Sequence, residues 1–560
     1  MIKQKTKPLF AAVLVLLGLG LAVRALYGFC WSDESFYLTF ANRLWNGQKL
    51  LLDEWHPVQF YSVLFYPILS LYRLFFGTRG IYLFARELYV AVALGLSLYT
   101  YFTLCRETKP MVAFLCAGLY LAYSRGNIWG LSYYNLFLSF CLLLAMLTLR
   151  GRHLVGKGRG AVFFLGGLCL AAAVLCVPYF AVFVILGLII FLCLPKTRKD
   201  ALWALLGIAL SAGLFLIFFL PKDLPGVLAN LTEILSDPEH TGGPLGYLLA
   251  ALRECKLLYS YETLAALVAA ALLILGIKIF PGNWGALPGL LLAGLGAALS
   301  LWRYRAGEVG FAYYQLALFC LPGLAVCWIQ REISLPAALL RLLGVAMAIS
   351  MALSSNTEAI TFTVGLPVYV MGAVWQLSTL RLPEGKPIGI FAGMLGCAVL
   401  VLTCSGRVTQ VFRDGPLDTL TVTMDAGPAA GIRTTPEHAR QYGEVLDMLE
   451  DLEESYSENN RIFFSSLLPW GYLATDFPCG APTAWRTRLS SPRLESYYGT
   501  HPEEIPAIVV VLKPSVGDYP ENPAPNENSL TGWFWEYLTE NQYEHTEYSC
   551  ADVYVSPRAS

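Results

Sequence analysis

Two adjacent acids, Asp33 and Glu34, stand just beyond an apolar stretch that runs from Leu9 to Tyr27. A carboxylate at the edge of low-dielectric surroundings needs a cation, a metal or a hydrogen-bond donor, so the pair marks a candidate site for general-base or metal-assisted chemistry. The same residues fit a plainer role, in which Ser32 and Asp33 start a helix running through Leu44 and the acids are solvated. From the acids alone the two readings stand level.

The elements that position them are membrane spans. Of the 560 residues 56% are apolar and only 14% charged, and the apolar residues fall in blocks such as Leu88 to Cys105 and Leu131 to Leu149. Each block approaches the roughly 20 residues a helix needs to cross about 30 Å of hydrocarbon. Continuous runs of this length suit helices, which pair their backbone groups internally, and not barrel strands. About thirteen spans are expected, near 8–27, 86–105, 110–124, 131–149, 161–177, 180–194, 201–220, 260–277, 286–302, 311–329, 336–354, 360–377 and 387–404. The first is an anchor and not a cleaved signal peptide, because it is nearly a full span and no small-residue site ends it before Trp31. The block 161–194 reads as two short helices turning at Pro178-Tyr179, since basic residues flank both of its ends.

Lys3/Lys5/Lys7, Arg106/Lys109, Arg150/Arg152/Lys157/Arg159 and Lys196/Arg198/Lys199 mark one side, which the positive-inside tendency makes cytoplasmic. The amino terminus is then cytoplasmic, and an odd number of spans puts the tail outside the plasma membrane. A net charge of −1 gives no reason to expect nucleic acid. The chain divides into a transmembrane part, 1–404, whose first outer loop, 28–85, carries the acids, and an extracytoplasmic α/β domain, 405–560. In the latter Pro436 to Glu454 and Trp533 to Leu538 read as helices, and Arg461 to Leu467 and Ile508 to Leu512 as strands. The outer loop 221–259, with Pro221, Pro225, Pro238, His240 and Gly242-Gly243-Pro244, reads as irregular. Most of the fourteen cysteines lie in spans as small hydrophobes; Cys479 and Cys550 lie in the tail, where they could pair.

The acids belong to a longer ordered string: Ser32-Asp33-Glu34-Ser35-Phe36-Tyr37, then Asn46-Gly47, Trp55-His56-Pro57-Val58-Gln59-Phe60-Tyr61, Phe76-Gly77 and Arg86. This string resembles the first-loop signature of the C-type (GT-C) glycosyltransferase superfamily. Within it the chain is most similar to the branch of protein O-mannosyltransferases and bacterial aminoarabinose transferases, which take sugars from a polyprenyl phosphate. Agreement at motif level runs from about residue 8 to 150, and the expected topology agrees over the whole chain.

The resemblance implies a polytopic α-helical membrane protein with an outer carboxyl-terminal domain, in which Asp33 is the principal catalytic carboxylate and Glu34 orients or assists. Asp33 would act as general base, or would fix a divalent metal ion and the nucleophile; no other cofactor is implied. The leaving lipid phosphate needs cations more than an acid. Candidates are Arg86 and His56 and, at a later outer boundary, Arg303 and Arg305. Tyr37, Tyr61 and Asn135 are candidate substrate contacts. Two departures stand out. Aminoarabinose transferases carry lysine where His56 stands and arginine where Phe36 stands, so the donor phosphate must be held differently. Many relatives also have an acid near Asn135, and its absence weakens the case for a tightly held metal.

Each candidate has a plainer alternative: an interfacial histidine for His56, helix capping for Asn135, and membrane-interface anchoring for the stretch of Arg303, Tyr304, Arg305, Tyr313 and Tyr314. Trp470 and Trp485 could stack on sugar rings or fill a core. The expected function is inverting transfer of a sugar from a polyprenyl-phosphate donor to an envelope glycan, lipid or protein acceptor at the outer face. A glycan polymerase or ligase relying on Arg303 and Arg305 is the first rival. A transporter or lipid flippase is the second, disfavoured because charged residues gather at the outer span ends and no internal repeat is evident.

Overall fold

The structure, a computed structural model, describes residues 2–235, 243–279, 283–303, 311–329, 331–379, 387–465, 468–485, 487, 489–517 and 531–559. A helix lies over each expected span: α1 (Ile2–Ala25), α4 (Ile81–Leu104), α5 (Pro110–Ala122), α6 (Tyr133–Gly151), α7 (Gly156–Cys176), α8 (Ala181–Cys193), α9 (Arg198–Phe218), α11 (Gly243–Ile279), α12 (Leu287–Arg303), α13 (Ala312–Ile329), α14 (Leu335–Ser354), α15 (Leu366–Thr379) and α16 (Pro387–Thr409). Between α1 and α4 the first loop adds α2 (Asp33–Trp45) and α3 (Ser62–Phe76). Among the described residues eight helices are long and apolar enough to cross a membrane. A ninth span is formed if Glu358–Val364 and Leu366–Thr379, bent by 54°, count as one. The segments Pro110–Ala122, Pro178–Cys193, Leu287–Trp302 and Gly396–Thr409 are apolar but shorter. The protein is thus a multi-pass α-helical membrane protein with a small sheet unit at its carboxyl end.

Small residues let the helices approach closely where lipid gives no hydrophobic drive. A Cβ on Gly167 of α7 would lie 2.0 Å from the Ala204 carbonyl oxygen of α9, and one on Gly207 would lie 2.2 Å from that of Phe164. The turn between α7 and α8 falls at Pro178–Phe180, a single 3-10 turn.

The loop after Leu220 is more regular than its prolines suggest. It forms α10 (Leu224–Leu235) and the 37-residue α11. Pro225 and Pro244 each sit in a first helical turn, where the missing N–H would have had no partner within the helix. Residues 236–242, with Pro238 and His240, lie outside the described residues.

Beyond α16 the chain forms a short antiparallel pair, β1 (Val422–Thr423) and β2 (Arg433–Thr434), then α17 (Pro436–Ser455) and a four-stranded sheet. The sheet order is β3-β4-β6-β5, from β3 (Ile462–Ser465), β4 (Ile508–Leu512), β5 (Glu544–Glu547) and β6 (Ala551–Val555). β3 and β4 are parallel, and the other pairs antiparallel. β4 is buried along its whole length, as its unbroken Ile-Val-Val-Val-Leu run requires. β5 is charged and exposed, which suits an unpaired sheet edge. Cys479 and Cys550 are both buried and free, so they do not pair.

Glu504, 2.5 Å from Arg461 and almost fully buried, has one carboxyl oxygen without a hydrogen-bond partner. Burial pushes this carboxyl up from 4.5 to about 7, with Arg461 opposing. Because the folded state holds the proton more tightly, the stabilisation is full below pH 4.5 and is lost as pH rises towards 7. Melting of the purified protein across this window should show falling stability, and Glu504→Gln should flatten the slope; an unchanged slope would remove Glu504 as its source.

Candidate functional site

Asp33 and Glu34 form the first turn of α2, where the helix dipole favours negative charge. Ser32 occupies the N-cap position without a side-chain capping bond. Its hydroxyl instead accepts a hydrogen bond from Arg413 at 2.6 Å and donates one to Asp33 at 3.3 Å. Arg413 also pairs with Asp33 directly at 2.6 Å. Both side chains keep a path to solvent, Asp33 at 19% exposure and Arg413 at 26%. The phenols of Tyr37 and Tyr134 lie within reach of the Asp33 charge and share a ring contact at 5.8 Å, giving the carboxylate an aromatic wall.

Glu34 is built differently. It pairs with Arg86 from α4 and accepts the Trp129 N–H at 2.9 Å, all out of solvent. Burial raises its carboxyl above the ordinary range, while Arg86 and the Trp129 N–H oppose that rise. Arg86 gives its Nε to Glu34 at 3.1 Å and its terminal nitrogens to Glu34 and to the carbonyls of Ala25 at 2.8 Å and Gly28 at 2.7 Å. This clamp ties the end of α1, the start of α2 and α4 into one junction. The adjacent cavity, lined by Glu34, Tyr37, Tyr82, Trp129 and Gly130, measures about 10 Å³ and so holds at most one water. Arg86, expected at the donor phosphate, therefore faces the buried clamp.

Arg413 was not foreseen. It lies just past α16 with φ +52°, a left-handed conformation that its neighbour fixes. Asp414 accepts hydrogen bonds from the Phe29 N–H at 2.6 Å, the Thr434 hydroxyl at 2.7 Å and the Gly415 N–H at 2.8 Å, and His438 lies 2.9 Å away. Burial alone would raise the Asp414 carboxyl, but these contacts outweigh it and hold it below the usual range. No local pattern marks Arg413; the available signal was that Asp33 needed a cation once Arg86 was taken by Glu34.

The tail and the first loop form one packed body. Trp470, fully buried, meets Trp31 at 5.4 Å and Tyr442 at 4.6 Å, so it fills the core. Trp485 is half-buried against Phe36 at 4.5 Å. The Trp55 N–H donates to Pro482 at 2.7 Å, and the Asn42 amide to Tyr472 at 3.0 Å. Arg43 and Glu54, a buried ion pair at 2.7 Å, brace the loop.

The remaining expected residues are mostly held inside this body. His56 is buried, its Nδ1 accepting the Val58 N–H at 3.2 Å and its ring 5.0 Å from Phe36. Tyr61 donates to the Tyr37 carbonyl at 3.0 Å and so positions that residue. The Asn135 amide donates to the Gly130 carbonyl at 2.8 Å, while Ser132 caps α6 by accepting the Asn135 N–H. Tyr313 and Tyr314 are buried and donate to the carbonyls of Leu119 and Ala359. Arg303 closes α12, and Arg305 lies outside the described residues.

Among the described residues no three His, Cys, Asp or Glu side chains converge as metal ligands. Asp33 faces a guanidinium, so a divalent cation beside the carboxylate would meet like charge unless Arg413 turned away.

No family model matches the chain, and no curated protein matches it. Among solved structures the chain is similar to the oligosaccharyltransferase of Archaeoglobus fulgidus in complex with zinc and sulfate. Identity there is 14% and the TM-score 0.47, over 90% of this chain and 68% of that one. It is similar also to the oligosaccharyltransferase AglB of the same organism, in complex with an inhibitory peptide and a dolichol-phosphate, at 13% identity and TM-score 0.45 over 91% and 70%. A third similar structure is ArnT from Cupriavidus metallidurans bound to undecaprenyl phosphate, at 13% identity and TM-score 0.38 over 98% and 97%.

Proposed function

We propose that the protein is an inverting membrane glycosyltransferase, moving a sugar from a polyprenyl-phosphate donor to an envelope glycan, lipid or protein acceptor at the outer face of the plasma membrane. The observation that carries this reading is the solvent-reachable Asp33 carboxylate, placed directly after the first span beside a guanidinium and an aromatic wall. In this reading residues 1–404 form the transferase body with a cytoplasmic amino terminus. Residues 405–560 form an outer domain that also supplies Arg413.

Asp33 is the general base. It takes the proton of the acceptor hydroxyl as that oxygen attacks the anomeric carbon, and the bond from that carbon to the phosphate oxygen breaks with its electron pair staying on the phosphate. Glu34 and Arg86 hold the first turn of α2 in place, and Tyr37, set by Tyr61, lines the sugar side. The lipid tail has a matching surface in an apolar groove of about 510 Å³ between α3, α6, α7 and α9, lined by Val63, Leu64, Phe140, Leu143, Leu168 and Phe215. Its α3 wall begins two residues after Tyr61.

Incubating the purified protein with a panel of polyprenyl-phosphate sugars and following release of free polyprenyl phosphate tests the reading before the acceptor is known. One donor should be consumed in preference to the others. A panel spanning hexoses, amino sugars and pentoses that is left intact, with candidate acceptors supplied, would contradict it.

A further inference from the structure

We propose that Arg413 is the cation that binds the donor phosphate, and that its ion pair with Asp33 is a resting position from which the arriving phosphate draws it, freeing the base. The inference rests on the glycosyltransferase reading and names the residue that couples donor binding to base release.

Three observations support it. First, the arginines around Asp33 differ in what holds them. Arg86 is locked in the Glu34 clamp. Arg24 is tied to the carbonyls of Tyr27, Val408 and Gln410, each at 2.7 Å. Arg407 is buried over Trp129 at 3.8 Å and bonded to Asn127. Arg413 is held by Asp33 and the Ser32 hydroxyl and, at 26% exposure beside a partner at 19%, reaches solvent, where an ion pair contributes less than a buried one. Second, the Arg413 backbone is fixed on both sides, so its guanidinium reaches Asp33 from a set position. The buried Asp414 pins the following residue, and the Arg24 bonds pin the strand of chain before it.

The third is charge balance. In the transfer step the proton leaves the acceptor oxygen for Asp33, whose charge goes from −1 to neutral. The electron pair of the broken bond stays on phosphate, which goes from a diester with one charge to a monoester with two. Negative charge therefore leaves the present partner of Arg413 as it develops on the leaving group. A guanidinium that moves from one to the other follows the charge, and its bidentate geometry suits either oxyanion.

The test measures binding of a polyprenyl phosphate to the full-length protein in detergent, with melting temperature recorded in parallel. Arg413→Ala should weaken binding about thirtyfold, with Arg413→Lys in between. Asp33→Asn should bind a few-fold more tightly than the parent, because the competing carboxylate is gone. Because loss of the Asp33 charge alone would help any nearby anion bind, the tightening should be reduced in Asp33→Asn combined with Arg413→Lys, and a merely structural Arg413 would leave it unchanged. Arg413→Ala that loses transfer yet binds the lipid phosphate like the parent, or Asp33→Asn that binds less tightly, overturns the inference. If Arg413→Ala does not fold, Asp33→Asn with and without Arg413→Lys decides: a tightening equal in both overturns the inference. A parent protein that itself ignores polyprenyl phosphate overturns the proposed function and this inference with it, a failure distinct from one confined to the variants.

Discussion

Asp33→Asn should lower the transfer rate by about a hundredfold to ten-thousandfold, the range for removing a general base, while the protein inserts and melts like the parent. The substitution keeps the shape and the contact with Arg413 but removes the basic oxygen. The ion pair it weakens is partly exposed and the amide keeps a hydrogen bond to Arg413, so the stability change should stay within about 1 kcal/mol. Turnover and melting are read on the same preparation. Full transfer activity in a properly inserted Asp33→Asn protein would refute the role given to this carboxylate.

The adjacent acid should behave in the opposite way. Glu34→Ala leaves the Arg86 guanidinium buried without its counter-charge, a defect that costs about 3–5 kcal/mol. The expected result is a large drop in melting temperature and poor recovery of inserted protein. Replacing both residues, as in Glu34→Gln with Arg86→Met, removes the stranded charge and should recover much of that loss. If Glu34→Ala melted normally and lost only transfer, the clamp would not be the main role of Glu34. In the proposed reading the two neighbouring carboxylates divide into one partly exposed base and one buried fastener, according to the face of α2 each occupies.

The resemblance already set Asp33 apart from Glu34, but the Arg86 clamp that buries Glu34 was not legible in the sequence. The apolar blocks foretold where helices lie, because length and composition alone decide which segments suit hydrocarbon, and the break at Pro178 followed from the basic flanks. The start of α2 at Asp33 was also readable. What composition misjudged were the helices of the 221–259 loop, where Pro225 and Pro244 sit in first turns and do not interrupt. The charged edge strand β5 gave no alternating apolar pattern to detect.

For the candidate site, the string around Asp33 drew attention to the first loop, but not to the partners of each residue. Arg86 and Asp33 lie on the same stretch of sequence, and it was natural to set them facing one ligand. The fold places Arg86 against Glu34 and supplies Asp33 with Arg413, 380 positions away. Pairings of that separation leave no trace in local spacing. His56 was expected at the donor phosphate and Asn135 at the substrate; in the fold His56 accepts the Val58 N–H and the Asn135 amide donates to the Gly130 carbonyl.

The central claim, that Asp33 sits at the outer surface in a space open to a lipid phosphate, is tested most directly by accessibility. Asp33→Cys would be treated in intact cells with a membrane-impermeant maleimide, against the parent with its native cysteines as background. Labelling of position 33 from outside, slowed when polyprenyl phosphate is added to the purified protein, is the expected outcome. Labelling that requires permeabilised cells, or that proceeds at the same rate with the lipid phosphate present, would contradict the account.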